Sequence, residues 1–182
     1  MASKLFFITG SSGIGKTTIV PFLRNLLSSE YDIHDFDEKL TEEVGRDIDL
    51  LDNWRINTTK HWINVAEENL KINKLTIIVG LIYPDEIKQL DPQILYSVCL
   101  LDASDEIISQ RLMGKRFSNS EKIAKLKQGS NLTPEEFIQE NKKLMEKLRN
   151  ETLDLDGQII DTTNDTSRQT TEKIVSWVLK VI

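Results

Sequence analysis

One glycine-rich segment near the N-terminus constrains the fold of this chain more than any other stretch. Residues 10–17 read Gly-Ser-Ser-Gly-Ile-Gly-Lys-Thr and fit the pattern G-x-x-x-x-G-K-[ST]. The apolar run at residues 5–8 predicts a buried strand before the segment, and residues 18–29 carry apolar side chains at helical spacing after it. Strand, glycine loop and helix follow one another in the order that a phosphate-binding loop (P-loop) requires.

Each residue type in this loop has a physical task in binding phosphate. Glycines allow backbone conformations closed to other residues, so successive N–H groups can turn inward around phosphate oxygens, where the helix dipole adds its positive end. We expect Lys16 to reach the β- and γ-phosphates of a nucleotide and the Thr17 hydroxyl to ligate Mg²⁺. The predicted nucleotide-binding residues here are Gly10, Ser11, Ser12, Gly13, Ile14, Gly15, Lys16, Thr17 and Thr18.

Composition narrows the class of protein. With 182 residues, of which 39% are hydrophobic and 29% charged, the chain suits one soluble globular domain. No apolar run approaches the roughly 20 residues that cross a bilayer, and the N-terminus leaves no room for a signal peptide before the first strand. We therefore expect a cytoplasmic protein that does not bind membranes. The single Cys99 lies in an apolar run, which predicts a buried, inert thiol.

The formal net charge of −6 argues against a protein that binds nucleic acid. Charge is unevenly distributed along the chain. Residues 111–149 carry ten Lys or Arg and five Asp or Glu, whereas the rest of the chain carries 13 Lys or Arg and 24 Asp or Glu. This basic segment predicts either a local anionic ligand or a solvated helical face with mixed charges. Arg111 and Arg116 follow the fourth predicted strand, where guanidinium groups could neutralise a transferring phosphoryl group.

A second short strand, residues 31–36, is followed by two carboxylates. Asp35 and Asp37 have the i, i+2 spacing that puts both side chains on one face. Ligands bind beyond the carboxyl ends of strands in open α/β sheets, so both should lie near the glycine loop. One carboxylate, predicted here as Asp35, could hold Mg²⁺ together with Thr17, while the other accepts a proton from a substrate hydroxyl. The alternative is an Asx turn that caps a helix.

Three further stretches predict strands of the same sheet, at residues 75–80, 94–101 and 158–161. The first is β-branched and apolar and ends in Gly80, where a ligand could approach the backbone closely. A Walker B strand would end in aspartate instead, so the metal must be held in another way. Thr162 and Thr163 lie in the loop beyond the last strand.

The stretches between the strands predict helices and a lid. A short acidic helix is expected over 38–49 and a longer one over 51–73. The first half of the longer helix carries polar and aromatic side chains: Trp54, Arg55, Asn57, Lys60 and His61. They either bind the acceptor of a small kinase or are core tryptophans next to polar residues of the surface. The lysine-rich stretch at about 115–133 predicts a small helical lid with Gly114 and Gly129 as hinges. Residues 133–136, Thr-Pro-Glu-Glu, predict the next helix start, and Arg149 near its end could contact phosphate or base.

In this order, the segments resemble the small P-loop kinases of the nucleoside monophosphate, shikimate and gluconate kinase group. The resemblance spans nearly the whole chain and rests on Gly10–Thr17, Asp35-x-Asp37, Gly80, Arg111 to Arg116 and Asp161-Thr162-Thr163, one group after each strand. It implies a three-layer α/β fold with a doubly wound, parallel five-stranded sheet of order 2-3-1-4-5, in one domain of residues 1–182. It also implies a lid over ATP after strand four and adenine against the loop of Thr162 and Thr163.

The resemblance further implies an ATP- and Mg²⁺-dependent kinase, a monomer or homodimer, that phosphorylates a hydroxyl or phosphate of a small molecule. Lys16 would hold the phosphates, Asp35 or Asp37 would position or deprotonate the acceptor, and Arg111 and Arg116 would offset the moving charge. Nucleosides, nucleotides, sugar acids and hydroxylated antibiotics all stay open as acceptors. The adenylate kinase F-P-R, shikimate kinase glycine-run and thymidylate kinase D-R-Y segments are absent. The alternative is a nucleotide-binding protein or slow NTPase switch without a small-molecule acceptor.

Overall fold

The structure is a computed structural model that describes residues 3–39, 48–121, 123, 124 and 130–182, without the side chains of residues 39, 48–52 and 115. Within these residues, strands and helices alternate. The strands are β1 Leu5–Thr9, β2 Tyr31–Asp35, β3 Leu75–Val79, β4 Tyr96–Asp102 and β5 Gln158–Asp161. The helices are α1 Lys16–Leu26, α2 Ile48–Lys71, α3 Pro84–Leu90, α4 Asp105–Arg111, α5 Pro134–Leu153 and α6 Ser167–Val181. A 3₁₀ turn, Phe36–Lys39, follows β2, and a π-helical turn, Leu112–Arg116, follows α4.

The described strands form one sheet in the order β2-β3-β1-β4-β5, and every neighbouring pair is parallel. This confirms the predicted α/β fold and strand order. Because the strands are parallel, their carboxyl ends lie along one edge, where ligands bind in sheets of this type. The glycine loop after β1 therefore lies between the segments that follow β3 and β4.

The central strand β1 explains why the sheet needs helices on both faces. All five of its residues are buried, and alternate side chains enter two separate cores. Phe6 lies in the core that contains residues of α1, α5 and α6, with the Trp177 ring edge-on to it at 5.7 Å. Phe7 lies in the opposite core with Trp62 and Ala66 of α2. A strand with apolar side chains on both faces can bury them only if helices cover both sides of the sheet.

Several other predictions can be compared with the structure. Cys99 is buried in β4, where loss of solvation raises its pKa, as expected of an inert thiol. The acidic helix predicted over 38–49 falls largely on residues outside those described. The predicted lid, about 115–133, falls there in part, and so does its hinge Gly129. None of the described helices is both long and apolar enough to span a membrane.

Candidate active site

The glycine loop connects the end of β1 to the start of α1 and carries an open row of donors. Gly13 (φ 80°) and Gly15 (φ 107°) take left-handed backbone conformations that favour glycine, and Gly15 caps α1. Among the described residues, none accepts a hydrogen bond from the backbone N–H groups of residues 13–17. Free N–H groups at the start of a helix form an arrangement that can bind an anion.

Lys16 bends back over this loop. Its Nζ donates to the carbonyl oxygens of Gly10 at 2.7 Å and Ser11 at 2.8 Å. Burial lowers the pKa of Lys16 from its ordinary 10.5 to about 8, although the charges of Asp37 and Asp35 act in the opposite direction. The ammonium is thus poorly solvated, and a bound phosphate would supply the anionic partner that it lacks.

The two predicted carboxylates lie opposite this lysine. Asp35 Oδ1 accepts a hydrogen bond from the Asp37 N–H at 3.0 Å, so the Asx turn considered as the alternative is present. The turn leaves both carboxylates close enough to Lys16 to influence its pKa. Loss of solvation, and then the charge of Asp35, raise the pKa of Asp37, which makes it a better proton acceptor than an ordinary aspartate.

A residue that the sequence analysis missed, Asn141 of α5, holds the first half of the loop. Its buried amide donates from Nδ2 to the Ser12 carbonyl oxygen and to Ser11 Oγ, and its Oδ1 accepts from the Ser12 N–H, each at 3.1 Å. The Ser11 N–H donates to Met145 Sδ at 3.3 Å. These contacts occupy the N–H groups of Ser11 and Ser12 and leave those of residues 13–17 open. No local pattern could have revealed the role, because Asn141 lies 129 residues from Ser12 in the chain.

The two predicted arginines occupy different places. Arg116 is at the loop, where Nη1 donates to Ser12 Oγ at 3.1 Å and the guanidinium lies 4.8 Å over the Phe137 ring. Loss of solvation lowers the pKa of Arg116. Arg111 instead lies beside the segment after β5, donating to Thr162 Oγ1 at 3.1 Å and to the Thr162 carbonyl oxygen at 2.7 Å.

A cavity of about 440 Å³ lies between these elements. Gly13, Gly15, Arg111 and Thr162 line it, together with residues at the start of α6. Its volume is in the range of small-molecule sites, and one end opens on the glycine loop. Thr163 has a supporting place, because its hydroxyl accepts from the Ser104 N–H at 2.9 Å.

The remaining loop residues differ in exposure. Ile14 is part of the hydrophobic core, whereas Thr17 is exposed at the start of α1. Thr18 donates its N–H to the Gly15 carbonyl oxygen at 3.0 Å, within the first turn of the helix. Thr17 is therefore the hydroxyl of this pair that faces solvent next to the open N–H groups.

Gly80 and Arg149, which the sequence suggested as possible ligand contacts, instead contact other residues of the protein. The close approach at Gly80 is made by a side chain of the protein, because a Cβ at this position would collide with Phe36. Arg149 does not extend toward a ligand but forms a two-pronged ion pair with Asp102, with N–O distances of 2.7 and 2.8 Å. Both contacts join segments that are far apart in the sequence.

Comparisons with known proteins agree with this architecture. No protein-family model matches the chain, and no curated protein matches its sequence. A tunicamycin resistance protein of Deinococcus radiodurans is 18% identical with a TM-score of 0.60, over 97% of this chain and 95% of that one. A gluconokinase from Sinorhizobium meliloti 1021 is 11% identical with a TM-score of 0.62, over 98% of this chain and 92% of that one. A shikimate kinase from Acinetobacter baumannii, in complex with shikimate, is 21% identical with a TM-score of 0.58, over 98% of this chain and 94% of that one. The chain therefore has the fold of the small P-loop kinases over nearly its whole length, as its sequence resemblance predicted.

Proposed function

We propose that this protein is a kinase that transfers the γ-phosphoryl group of ATP to a hydroxyl or phosphate of a small molecule, with Mg²⁺. One observation carries the proposal: the poorly solvated Lys16 ammonium and the carboxylates of Asp35 and Asp37 meet at the same end of the sheet. A phosphate-binding group and an acceptor-orienting group are thereby brought together. The fold likeness to a shikimate kinase and a gluconokinase supports the same class of reaction.

The residues present fit a magnesium nucleotide. The N–H groups of residues 13–17 and Lys16 would hold the phosphates, and the cavity beside Arg111 and Thr162 would receive the nucleoside. Among the described residues, no group of three or more His, Cys, Asp or Glu could hold a metal ion. Thr17 and the free oxygen of Asp35 would therefore share Mg²⁺ with phosphates and water, as this ion prefers. When bound, Mg²⁺ would neutralise phosphate charge.

Transfer then needs proton removal and charge stabilisation by the chain itself. Asp37 would accept the proton of the acceptor hydroxyl while the oxygen of that hydroxyl bonds to the γ-phosphorus. The bond between the γ-phosphorus and the oxygen that bridges it to the β-phosphate would break in the same step. Lys16 and Arg116 would offset the negative charge that shifts to the leaving phosphate. Asp35 would hold the Asp37 backbone in position through the Asx turn.

Release of ADP from Mg-ATP tests the proposal, with and without nucleosides, nucleoside monophosphates, sugar acids and hydroxylated antibiotics. Lys16→Ala serves as the blank. We expect strong stimulation by one class of acceptor, which would also name the substrate. A low rate that no compound changes would contradict the kinase and favour a nucleotide-binding switch.

A further inference from the structure

The acidic turn, residues 35–38, is closed by hydrogen bonds between its own side chains and backbone. Asp35 Oδ1 accepts from the Asp37 N–H at 3.0 Å, and Glu38 Oε1 accepts from the Asp35 N–H at 3.2 Å. Side chains from both ends of the turn thus satisfy N–H groups that helical bonding leaves unpaired, as in a capping box. The backbone of the turn is thereby fixed.

An arginine of the helix that begins at the phosphate loop binds both ends of this segment. Arg24 of α1 donates from Nε and Nη2 to the Ile33 carbonyl oxygen, at 3.0 and 2.7 Å, and from Nη2 to Glu38 Oε1 at 2.8 Å. Ile33 precedes the two carboxylates in the chain, and Glu38 follows them. One planar guanidinium therefore spans the segment that carries Asp35 and Asp37.

The place of Arg24 on α1 relates this contact to the proposed Mg²⁺ site. Thr17 and Arg24 are seven residues apart, which is close to two helical turns, so both side chains leave the same face of α1. Both residues are exposed. Asp35 lies close enough to the start of this helix for its charge to act on Lys16. The helix face that carries the proposed metal ligand Thr17 thus also carries the group that binds the acidic turn.

The second oxygen of Glu38 faces a histidine that packs on another helix. Nδ1 of His34 lies 3.2 Å from Glu38 Oε2, and the His34 ring stacks on the buried Trp62 ring of α2 with 4.4 Å between the centroids. Glu38 is therefore joined to α1 through Arg24, to α2 through His34, and directly to the backbone of Asp35. A displacement of this carboxylate would disturb all three contacts together.

The value of the pair between Arg24 and Glu38 lies in geometry more than in charge. The two side chains are 49% and 38% exposed, so their attraction is screened by water and contributes little to stability. Mg²⁺, in contrast, demands ligands at nearly ideal octahedral positions. A small shift of Asp35 relative to Thr17 would cost the folded chain little but would weaken a shared ion. Loss of the pair should therefore affect metal binding before it affects folding.

We propose that Arg24 and Glu38 are positioning residues for the Mg²⁺ that accompanies ATP. They hold the acidic turn so that the free oxygen of Asp35 and the hydroxyl of Thr17 can share one ion. This inference rests on the proposed function and adds to it two residues that lie outside the phosphate-loop motif. Its consequence is that loss of either residue weakens binding of the metal and leaves binding of the nucleotide itself unchanged.

Nucleotide affinity with and without Mg²⁺ tests the inference without any acceptor. Calorimetry measures binding of the β,γ-imido analogue of ATP in Mg²⁺ and in EDTA. The metal ratio, the dissociation constant in EDTA divided by that in Mg²⁺, isolates the contribution of the ion. We expect Glu38→Ala and Arg24→Met each to lower the metal ratio by about tenfold, the effect of removing a partner that orients a metal ligand. The dissociation constant in EDTA should stay the same.

Two further variants separate positioning from a general effect on the fold. Glu38→Gln should keep most of the metal ratio, because its amide oxygen can still accept from the Asp35 N–H. Glu136→Ala is the matched control, since Glu136 closes a capping box at the start of α5 by accepting from the Thr133 N–H at 2.8 Å. Thermal melting confirms that each variant is folded, and Arg24→Met carries the test if Glu38→Ala does not fold.

The outcomes distinguish this inference from the kinase proposal. An unchanged metal ratio in a folded Glu38→Ala or Arg24→Met variant would overturn the inference and leave the kinase intact. An equal loss in Glu136→Ala, or in Glu38→Gln, would overturn it as well, because the effect would then not depend on the bonds of the acidic turn. A metal ratio near one in the native protein would overturn the Mg²⁺ assignment and the inference with it. No acceptor is used, so the result is independent of the search for a substrate.

Discussion

The nucleotide half and the acceptor half of the proposed site are built in different ways. The nucleotide half is one continuous segment, residues 10–17, whose backbone geometry depends on Gly13 and Gly15 and on the bonds from Asn141. The acceptor half is proposed on the side chains of Asp35 and Asp37, on the turn after β2. A backbone site binds any nucleotide phosphate, whereas a site made of side chains can change its substrate through few substitutions. Changes in the first half should therefore affect ATP generally, and changes in the second should affect the acceptor.

The largest effect is expected at the centre of the nucleotide half. Lys16→Ala removes the only cation of the P-loop motif and should lower turnover by about 1,000-fold or more, since charge stabilisation in the transition state is lost. The fold should survive, because burial of this ammonium already lowers its pKa and does not favour the folded state. ADP release measures turnover and thermal melting measures stability. Lys143→Ala, at an exposed residue of α5, is the control. Full activity in Lys16→Ala would remove the basis for assigning this loop to phosphate.

A substitution in the acceptor half should separate transfer from binding. Asp37→Asn removes the proton acceptor and should slow transfer by about 100-fold, the lower range for general-base catalysis, while ATP binding weakens much less. Asp35→Asn should instead raise the Mg²⁺ concentration needed for half-maximal rate. Single-turnover rates, ATP dissociation constants and Mg²⁺ titrations distinguish these variants. Equal losses of rate and ATP affinity in Asp37→Asn would place that residue on the nucleotide side.

The bond network from α5 to the loop gives an intermediate effect. Asn141→Asp removes the donor to the Ser12 carbonyl oxygen and to Ser11 Oγ, and should weaken ATP binding about tenfold, the cost of leaving such groups unpaired. Affinity should recover in part at low pH, where the protonated carboxyl regains an O–H donor. Asn150→Asp, on the exposed face of the same helix, is the matched control. A similar change in both variants would mean that Asn141 has no special part in shaping the loop.

The smallest effect is a pH dependence of binding. With a Lys16 pKa of about 8 in the free protein, the ammonium is lost as the pH rises through that value. ATP affinity should then fall by at most about tenfold per pH unit, and binding should take up a proton, because phosphate favours the charged form. Lys16→Arg should give a flat profile between pH 7 and about 9.5, since its guanidinium stays protonated. Calorimetry in buffers of different ionisation enthalpy measures the proton uptake.

The titration of Lys16 should change the free energy of unfolding in the opposite direction to ATP affinity as the pH rises. Between about pH 8 and 10.5 the unfolded chain binds more protons at Lys16 than the folded protein does. The contribution of this group to the free energy of unfolding should therefore increase with pH in that range, while ATP affinity decreases. A fall of both quantities together would assign the pH effect to another group.

The sequence by itself determined the parts of the molecule that depend on local rules. The glycine loop could be located because Gly10, Gly15, Lys16 and Thr17 stand at the fixed spacing of the phosphate-binding pattern. The order of strands and helices followed from apolar runs alternating with helical periodicity, and the predicted start of α5 is confirmed by a complete capping box between Thr133 and Glu136. These features involve residues a few positions apart, so a single chain displays them without an alignment.

Tertiary structure decided the partners of the long polar side chains. Arg111 and Arg116 lie five residues apart, yet one binds Thr162 and the other binds Ser12. Arg149 pairs with Asp102, and Asn141 binds a peptide group in the loop. Each contact joins segments separated by at least 47 residues, so the choice of partner depends on how helices pack on the sheet. Residue type predicts that such groups need hydrogen bonds, but only the packed fold determines which groups provide them.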